Sequence, residues 1–211
     1  EVRTFLGDRS DVRVLSEVFA SPFDWIFDLS AYTFEQVRLV RQHRVVQDAR
    51  YIFCSTPSVL AAPVPVPHTE TSSCVEPILG SYAGEKRASE LLLLHEVTSQ
   101  SGFISIIRPQ AVMGTYDIAQ ARAIFESIRN KTPLHVSPKS LLSKMNVVDV
   151  RDVVTALLAT AQTSKANGQI YNIANDRSVT QREFIDLCSH IAGRKLNLCI
   201  ESRNSTHSWQ E

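Results

Sequence analysis

The sequence predicts an α/β fold with a mainly parallel sheet. Two observations carry this. Short apolar strand-like runs alternate along the chain with stretches of helical periodicity. Runs such as Trp25-Ile26-Phe27 and Ile104-Ser105-Ile106-Ile107 are apolar enough to be buried on both faces, as parallel strands are.

In chain order, Val2 to Leu6 reads as a short strand ended by Gly7-Asp8. Ser10 or Asp11 can cap a helix over Val12 to Phe19, with Val12, Leu15 and Val18 or Phe19 as its apolar face. Ser21-Pro22 breaks it, a strand follows through Leu29, and a helix is expected near Phe34 to His43. Ala49 to Cys54 is the next strand and runs into Ser55-Thr56-Pro57-Ser58. Residues 61–79, rich in Pro, Ser and Thr, lack periodicity and form a long loop, a type of segment that is usually functional or mobile. A helix from Tyr82 to about Gln100 leads to a strand at Phe103 to Ile107, halted by Arg108-Pro109. Then come a helix over Ala119 to Asn130, a strand at Leu134 to Val136, an apolar segment Val147 to Val150 and a helix over Asp152 to Gln162. A strand at Gln169 to Ile173, a helix opened by the capping box Thr180/Glu183 and a last strand at Leu196 to Ile200 complete the pattern, before a polar tail from Ser202. This suggests a core over 1–114 and a small C-terminal α/β lobe over 115–211, with 147–173 returning to the core.

Lys plus Arg equals Asp plus Glu at 22 each, so bulk charge does not favour nucleic acid or an anionic membrane. The apolar runs are too short to span a bilayer. Cys54, Cys74, Cys188 and Cys199 form no CxxC pair and the His are scattered, so no metal site is expected. Reduced thiols point to a compartment such as the cytoplasm.

The chemistry centres on Ser81-Tyr82-Ala83-Gly84-Glu85-Lys86. On a helix, Tyr82 and Lys86 lie on one face a turn apart, and a nearby ammonium favours phenolate. Such a phenol exchanges protons with an alcohol or ketone. In a parallel sheet, ligands bind at the carboxyl ends of the strands. Three such ends carry polar groups here: Leu29-Ser30-Ala31-Tyr32, Ser55-Thr56-Pro57-Ser58 and the stretch from Arg108-Pro109 to Gly114.

The order of these pieces resembles the extended short-chain dehydrogenase/reductase family, of the NAD-dependent epimerase/dehydratase type. The matching stretches are Gly7-Asp8, Asp28-Leu29-Ser30-Ala31, Tyr51 to Thr56, Ser81 to Lys86, Arg108-Pro109 with Val112-Met113-Gly114, Val147 to Asp152, and Ile170 to Ala174. The YxxxKR form and the short loop and helix at 30–45 look most like the family's atypical members. The resemblance implies NAD or NADP as cofactor, Tyr82 as acid/base, Lys86 tuning it and holding the nicotinamide ribose, and Thr56 holding the substrate oxygen. It places Asp8 and Arg9 by the adenine, Leu29, Ser30 and Ala31 along the cofactor, and Pro109 and Val112 beside the carboxamide. Thr56 also reads as a strand-end hydroxyl satisfying backbone, Asp8 as a turn residue, and Asp152 first as a helix N-cap.

Departures from the family pattern are equally informative. None of the seven Gly forms a GxxG, so the glycine-rich phosphate loop is missing. The N-terminal two β-α units, about 60 residues at about 30 each, are expected to be absent, leaving an open sheet edge at Trp25. The chain then reads as a fragment with weak or absent cofactor binding of its own. Ala111 and Met113 replace the family's Asn and Tyr, and Pro57-Ser58 stands where dehydratases place Asp-Glu, which argues against dehydration. The expected substrate is a small molecule with a secondary alcohol or ketone, such as a sugar nucleotide, converted by a reductase or epimerase. The alternative is a non-enzymatic nucleotide- or RNA-binding module of the atypical branch, although neutral charge makes nucleic acid the weaker expectation. The resemblance also allows a homodimer through helices 34–43 and 81–100.

Overall fold

As far as Pro109, the computed structural model contains α1 (Val12–Val18), β1 (Trp25–Asp28), α2 (Phe34–Arg41), α3 (Arg44–Asp48), β2 (Arg50–Cys54), α4 (Tyr82–Ser99) and β3 (Phe103–Pro109). Beyond it lie β4 (Ala111–Met113), α5 (Arg122–Asn130), β5 (Leu134–Val136), α6 (Pro138–Leu142), β6 (Lys144–Met145), β7 (Val147–Asp149), α7 (Val150–Gln162), β8 (Ile170–Ile173), β9 (Val179–Thr180), α8 (Gln181–Ile191) and β10 (Leu198–Ile200). The structure describes residues 2–63, 67–99, 102–115 and 121–200. Expectations for Ala119, Gln120, Gln100 and the tail from Ser202 lie outside the described residues.

The chain forms two units, one from the residues up to Pro109 with Val154–Ile173, the other from Gln110–Val153 with the chain after Ala174. The return to the first unit thus begins at Val154, not 147, because β7 pairs with β4 and not with the four-stranded sheet.

In the first unit the sheet runs β1-β2-β3-β8, every neighbouring pair parallel. Tyr51, Phe53, Ile104 and Ile106 bury one face with Val37 and Val40 of α2 and Leu93 of α4. Each such side chain contributes about 1.5–3 kcal/mol by leaving water. The α2 entry is set by a capping box, Thr33 accepting from the Gln36 N–H while the Gln36 side chain accepts from the Thr33 N–H.

Several expectations are corrected here. Val2 to Leu6 is not a strand; Leu6 is fully exposed and the segment has no ladder partner among the described residues. A strand persists only where a neighbour satisfies its backbone. The β1 strand is not buried on both faces either, since Trp25 is exposed at the open edge. Strand β3 does not stop at Ile107: Arg108 and Pro109 stay in register with Asn172 and Ile173, and the strand ends at Pro109, a proline at the last position interrupting no later ladder bond. Helix α7 starts at Val150, and Asp149 supplies the cap expected of Asp152, its Oδ1 accepting from the Arg151 N–H at 2.8 Å.

In the second unit β5 and β10 pair parallel, β4 and β7 pair parallel, and β6 and β9 pair antiparallel. Ile124 and Ile128 of α5 and Phe184 and Ile185 of α8 bury the apolar faces of those helices with Leu134 and Val136. The capping box Thr180/Glu183 opens α8.

Candidate active site

Strand β2 ends at Cys54, and Thr56 follows in an extended conformation as the cap of a 3-10 turn over Pro57–Val59. Its Oγ accepts from the Ser58 N–H at 3.2 Å. Helix α4 is anchored beside it by Ser81, whose Oγ donates to the Ile78 carbonyl and accepts from the Gly84 N–H. Glu85 adds two ties, accepting from the Gly80 N–H at 2.9 Å and from the Phe34 N–H at 2.7 Å. The second of these locks the first turn of α4 to that of α2.

This arrangement brings together Thr56, Tyr82 and Lys86. Thr56 lies close enough to the Tyr82 phenol for its hydroxyl to oppose the effect of burial on it, and Lys86 Nζ lies 5.9 Å from the Tyr82 ring centroid. Tyr82 is 38% exposed whereas Lys86 is 5% exposed, so the phenol opens to solvent while the ammonium sits behind it. Lys86 donates to the Cys54 carbonyl at 2.7 Å and packs over the Phe53 ring at 4.8 Å. Burial lowers the Lys86 pKa against the opposing pull of Cys54 and Asp28.

The expected tuning of the phenol is reversed in this chain. Burial holds Tyr82 above the ordinary phenol value, the Thr56 hydroxyl opposing it and Tyr32 and Cys54 adding to it. The hydrogen bond that Lys86 makes goes to a carbonyl rather than to the phenol oxygen.

At the end of β1, Asp28 accepts from both Arg9 Nη atoms at 2.9 and 2.8 Å, from the Tyr51 hydroxyl and from the Ala31 N–H. Burial pushes the Asp28 carboxyl up, but Arg9 and Tyr51 outweigh it and the pKa is lowered. Arg9 also donates to Ser30 Oγ at 2.9 Å. Arg9, Leu29 and Ser30 line a hollow of about 350 Å³ along β1, together with Phe5, Gly7 and Ile26. Ala31 is buried beneath, and Asp8 is a turn residue whose Oδ1 accepts from the Ser10 N–H at 2.8 Å. Pro109 is buried at the end of β3, and Val112 lies half-buried in β4 of the second unit.

Sequence reasoning missed an ion cluster in the first unit, built on the fully buried Glu90 and Arg108 with Arg87 half-buried beside them. Glu90 accepts from Arg108 Nε and Nη2 at 2.8 and 2.7 Å, from Ser55 Oγ at 2.6 Å and from Arg87 at 3.0 Å. Its signal was available, since Glu90 follows Lys86 by one more helical turn on the same face. Among the described residues no cluster of His, Cys, Asp or Glu could hold a metal, and no helix is long and apolar enough to cross a membrane.

The sequence model of the NAD dependent epimerase/dehydratase family matches residues 17–174. This chain belongs to that family. It is 26% identical over 189 residues to a chloroplast stem-loop binding protein of 41 kDa from Arabidopsis thaliana, covering 89% of this chain and 48% of the relative. The chain therefore spans about half the length of that curated relative. An epimerase structure from Methanothermobacter thermautotrophicus superposes with a TM-score of 0.82 at 18% identity, over 97% of this chain and 67% of that one. A UDP-glucose 4-epimerase from Thermotoga maritima, solved with UDP-glucose, gives 0.78 at 19% identity, over 94% and 71%. At these identities the structures establish the shared Rossmann-like fold of this epimerase/dehydratase-family chain.

Of the groups that could serve the family's dinucleotide, Lys86 keeps N–H donors beyond the one given to the Cys54 carbonyl, 5.9 Å from the Tyr82 ring. Arg9 Nε is buried, without a partner among the described residues, beside the hollow along β1. For the pyrophosphate, the described residues offer no glycine-rich turn opening a helix.

Proposed function

We propose that this chain is the Tyr/Lys-bearing part of an NAD(P)-dependent oxidoreductase or epimerase acting on a secondary alcohol or ketone, with a sugar nucleotide as substrate class. The observation that carries the reading is the convergence of an open phenol, a hydroxyl and a buried ammonium at the end of β2. A bound nicotinamide supplies or accepts the hydride. The chain's own residues handle the proton: Thr56 orients the substrate oxygen and Tyr82 exchanges a proton with it. Because burial keeps Tyr82 protonated near neutrality, it starts as the donor to a carbonyl oxygen. Lys86, drawn from the Cys54 carbonyl to a ribose hydroxyl, would then approach the phenol and ease its ionisation.

The test joins this chain to glycine-rich β-α units of a family member and follows conversion of UDP-hexoses with NAD or NADP. The expected result is turnover that falls by about 10²–10⁴-fold in Tyr82→Phe. Equal turnover with and without the phenol would sink the assignment.

A second reading draws on one specific observation, the stem-loop binding named for the Arabidopsis relative. If this chain binds RNA stem-loops, filter-binding affinity must fall steeply between low and moderate salt, since phosphate contacts release counterions. Salt-independent or undetectable retention counts against that reading.

A further inference from the structure

Arg108 is fully buried, yet its guanidinium is not fully used. Nε and Nη2 serve Glu90, and Nη2 also faces Cys74 Sγ at 3.7 Å. Nη1 has no partner among the described residues. Glu90 cannot serve it, since its oxygens already accept from Ser55, Arg87 and the other two Arg108 nitrogens. Asn172, the register partner of Arg108 and so on the same sheet face, likewise holds a buried Nδ2 and Oδ1 without partners among the described residues. Arg108 is therefore left with a spare donor, Nη1, on the guanidinium that faces the Cys74 sulfur. The local charge agrees, with two guanidinium groups set against the one carboxylate of Glu90.

Cys74 is held in place rather than loose. It bridges Leu60 in antiparallel fashion, the Val75 N–H donates to the Val59 carbonyl at 2.8 Å, and the Ala61 N–H donates to the Ser73 carbonyl at 2.9 Å. Glu70, from the same segment, accepts from the Asn172 N–H at 2.8 Å. The thiol is half-buried, open enough for a small oxidant.

We propose that Cys74 is an oxidation site, at which a hydroperoxide converts the thiol to a sulfenate received by Arg108. The sulfur attacks one peroxide oxygen, an S–O bond forms and the O–O bond breaks. The departing hydroxide or alkoxide takes the thiol proton as water or alcohol, and the sulfenic acid so formed gives its own proton to solvent to become the sulfenate; sulfur loses two electrons and the peroxide gains them. The new oxygen accepts from Arg108 Nη1, which stabilises its negative charge where an ordinary surface thiol has only solvent. The modification would load the buried Arg108–Glu90–Ser55 chain, which ends one residue before Thr56.

The unmodified chain, treated with limiting hydrogen peroxide and the sulfenate trap dimedone, tests this by peptide mass mapping. Cys74 should be trapped at least about tenfold faster than Cys199, although Cys199 is the exposed thiol. Unfolding in urea should erase that preference, because it depends on Arg108 being alongside. Trapping of Cys199 at an equal or greater rate overturns the proposal and leaves the spare donors to water. A preference that survives unfolding overturns it too, as a property of the local sequence. Cys74→Ser identifies the adduct.

Discussion

Lys86 and Glu90 sit one turn apart on α4, both buried, and the fold treats them differently. Glu90 is surrounded by two guanidinium groups and a hydroxyl, whereas Lys86 has a single carbonyl. Removing the Glu90 charge strands Arg108 in the interior, so Glu90→Gln should cost about 3–5 kcal/mol in urea unfolding. A loss below about 1 kcal/mol would mean the guanidinium finds other partners. Tyr82 should ionise above its ordinary 10.0 in the chain alone, and subtracting the spectrophotometric titration of Tyr82→Phe isolates that step. A phenolate appearing near neutrality contradicts the burial argument. For Asp28 the folded pKa lies below its ordinary 3.8. Its contribution to stability is therefore complete above that value and is lost as pH falls through the lower folded value. Melting temperature against pH should show a shallower acid limb in Asp28→Asn than in the parent.

At the scale of elements, the start of α4 decides where the phenol stands. Gly84 lies against the Ile78 carbonyl, and an added Cβ would collide with that backbone oxygen and lie 2.7 Å from Ser81 Oγ. Alanine is the better helix former by about 1 kcal/mol. Gly84→Ala should nevertheless destabilise by about 1–3 kcal/mol in urea unfolding, because the carbonyl belongs to the turn that aims Tyr82. A stabilised variant would show that the turn yields. The helix itself was legible, since a long stretch of helix formers between Gly80 and Gly102 needs no tertiary help to be recognised. The strand expected at Val2 to Leu6 was not there, although its residues suit one. Strand propensity only describes fitness for a sheet, and this segment has no ladder neighbour among the described residues.

For the whole molecule, the consequence of a missing phosphate turn is affinity. The nicotinamide end can be held by Lys86 and Tyr82, but the described residues give the pyrophosphate no row of backbone N–H groups. Titration calorimetry of the chain with NAD and with NADP should give dissociation constants weaker than about 1 mM. Micromolar binding would show that Arg9 and its surroundings replace the glycine-rich turn. The same reasoning makes β1 the exposed flank of the sheet, with Trp25 at its edge.

By itself the sequence determined the alternation of strands and helices, the parallel order, and the placing of Thr56, Tyr82 and Lys86 at strand ends and on one helix face. Those follow from local periodicity, capping and spacing, which neighbouring residues carry. Tertiary structure decided the ionisation of Tyr82, the ion cluster of Glu90 with Arg108, and the meeting of Arg108 with Cys74. The first depends on burial, and the other two on residues 18 and 34 positions apart being folded together by the crossover from α4 to β3. Desolvation and such long-range pairing are properties of packing, and no spacing along the chain encodes them.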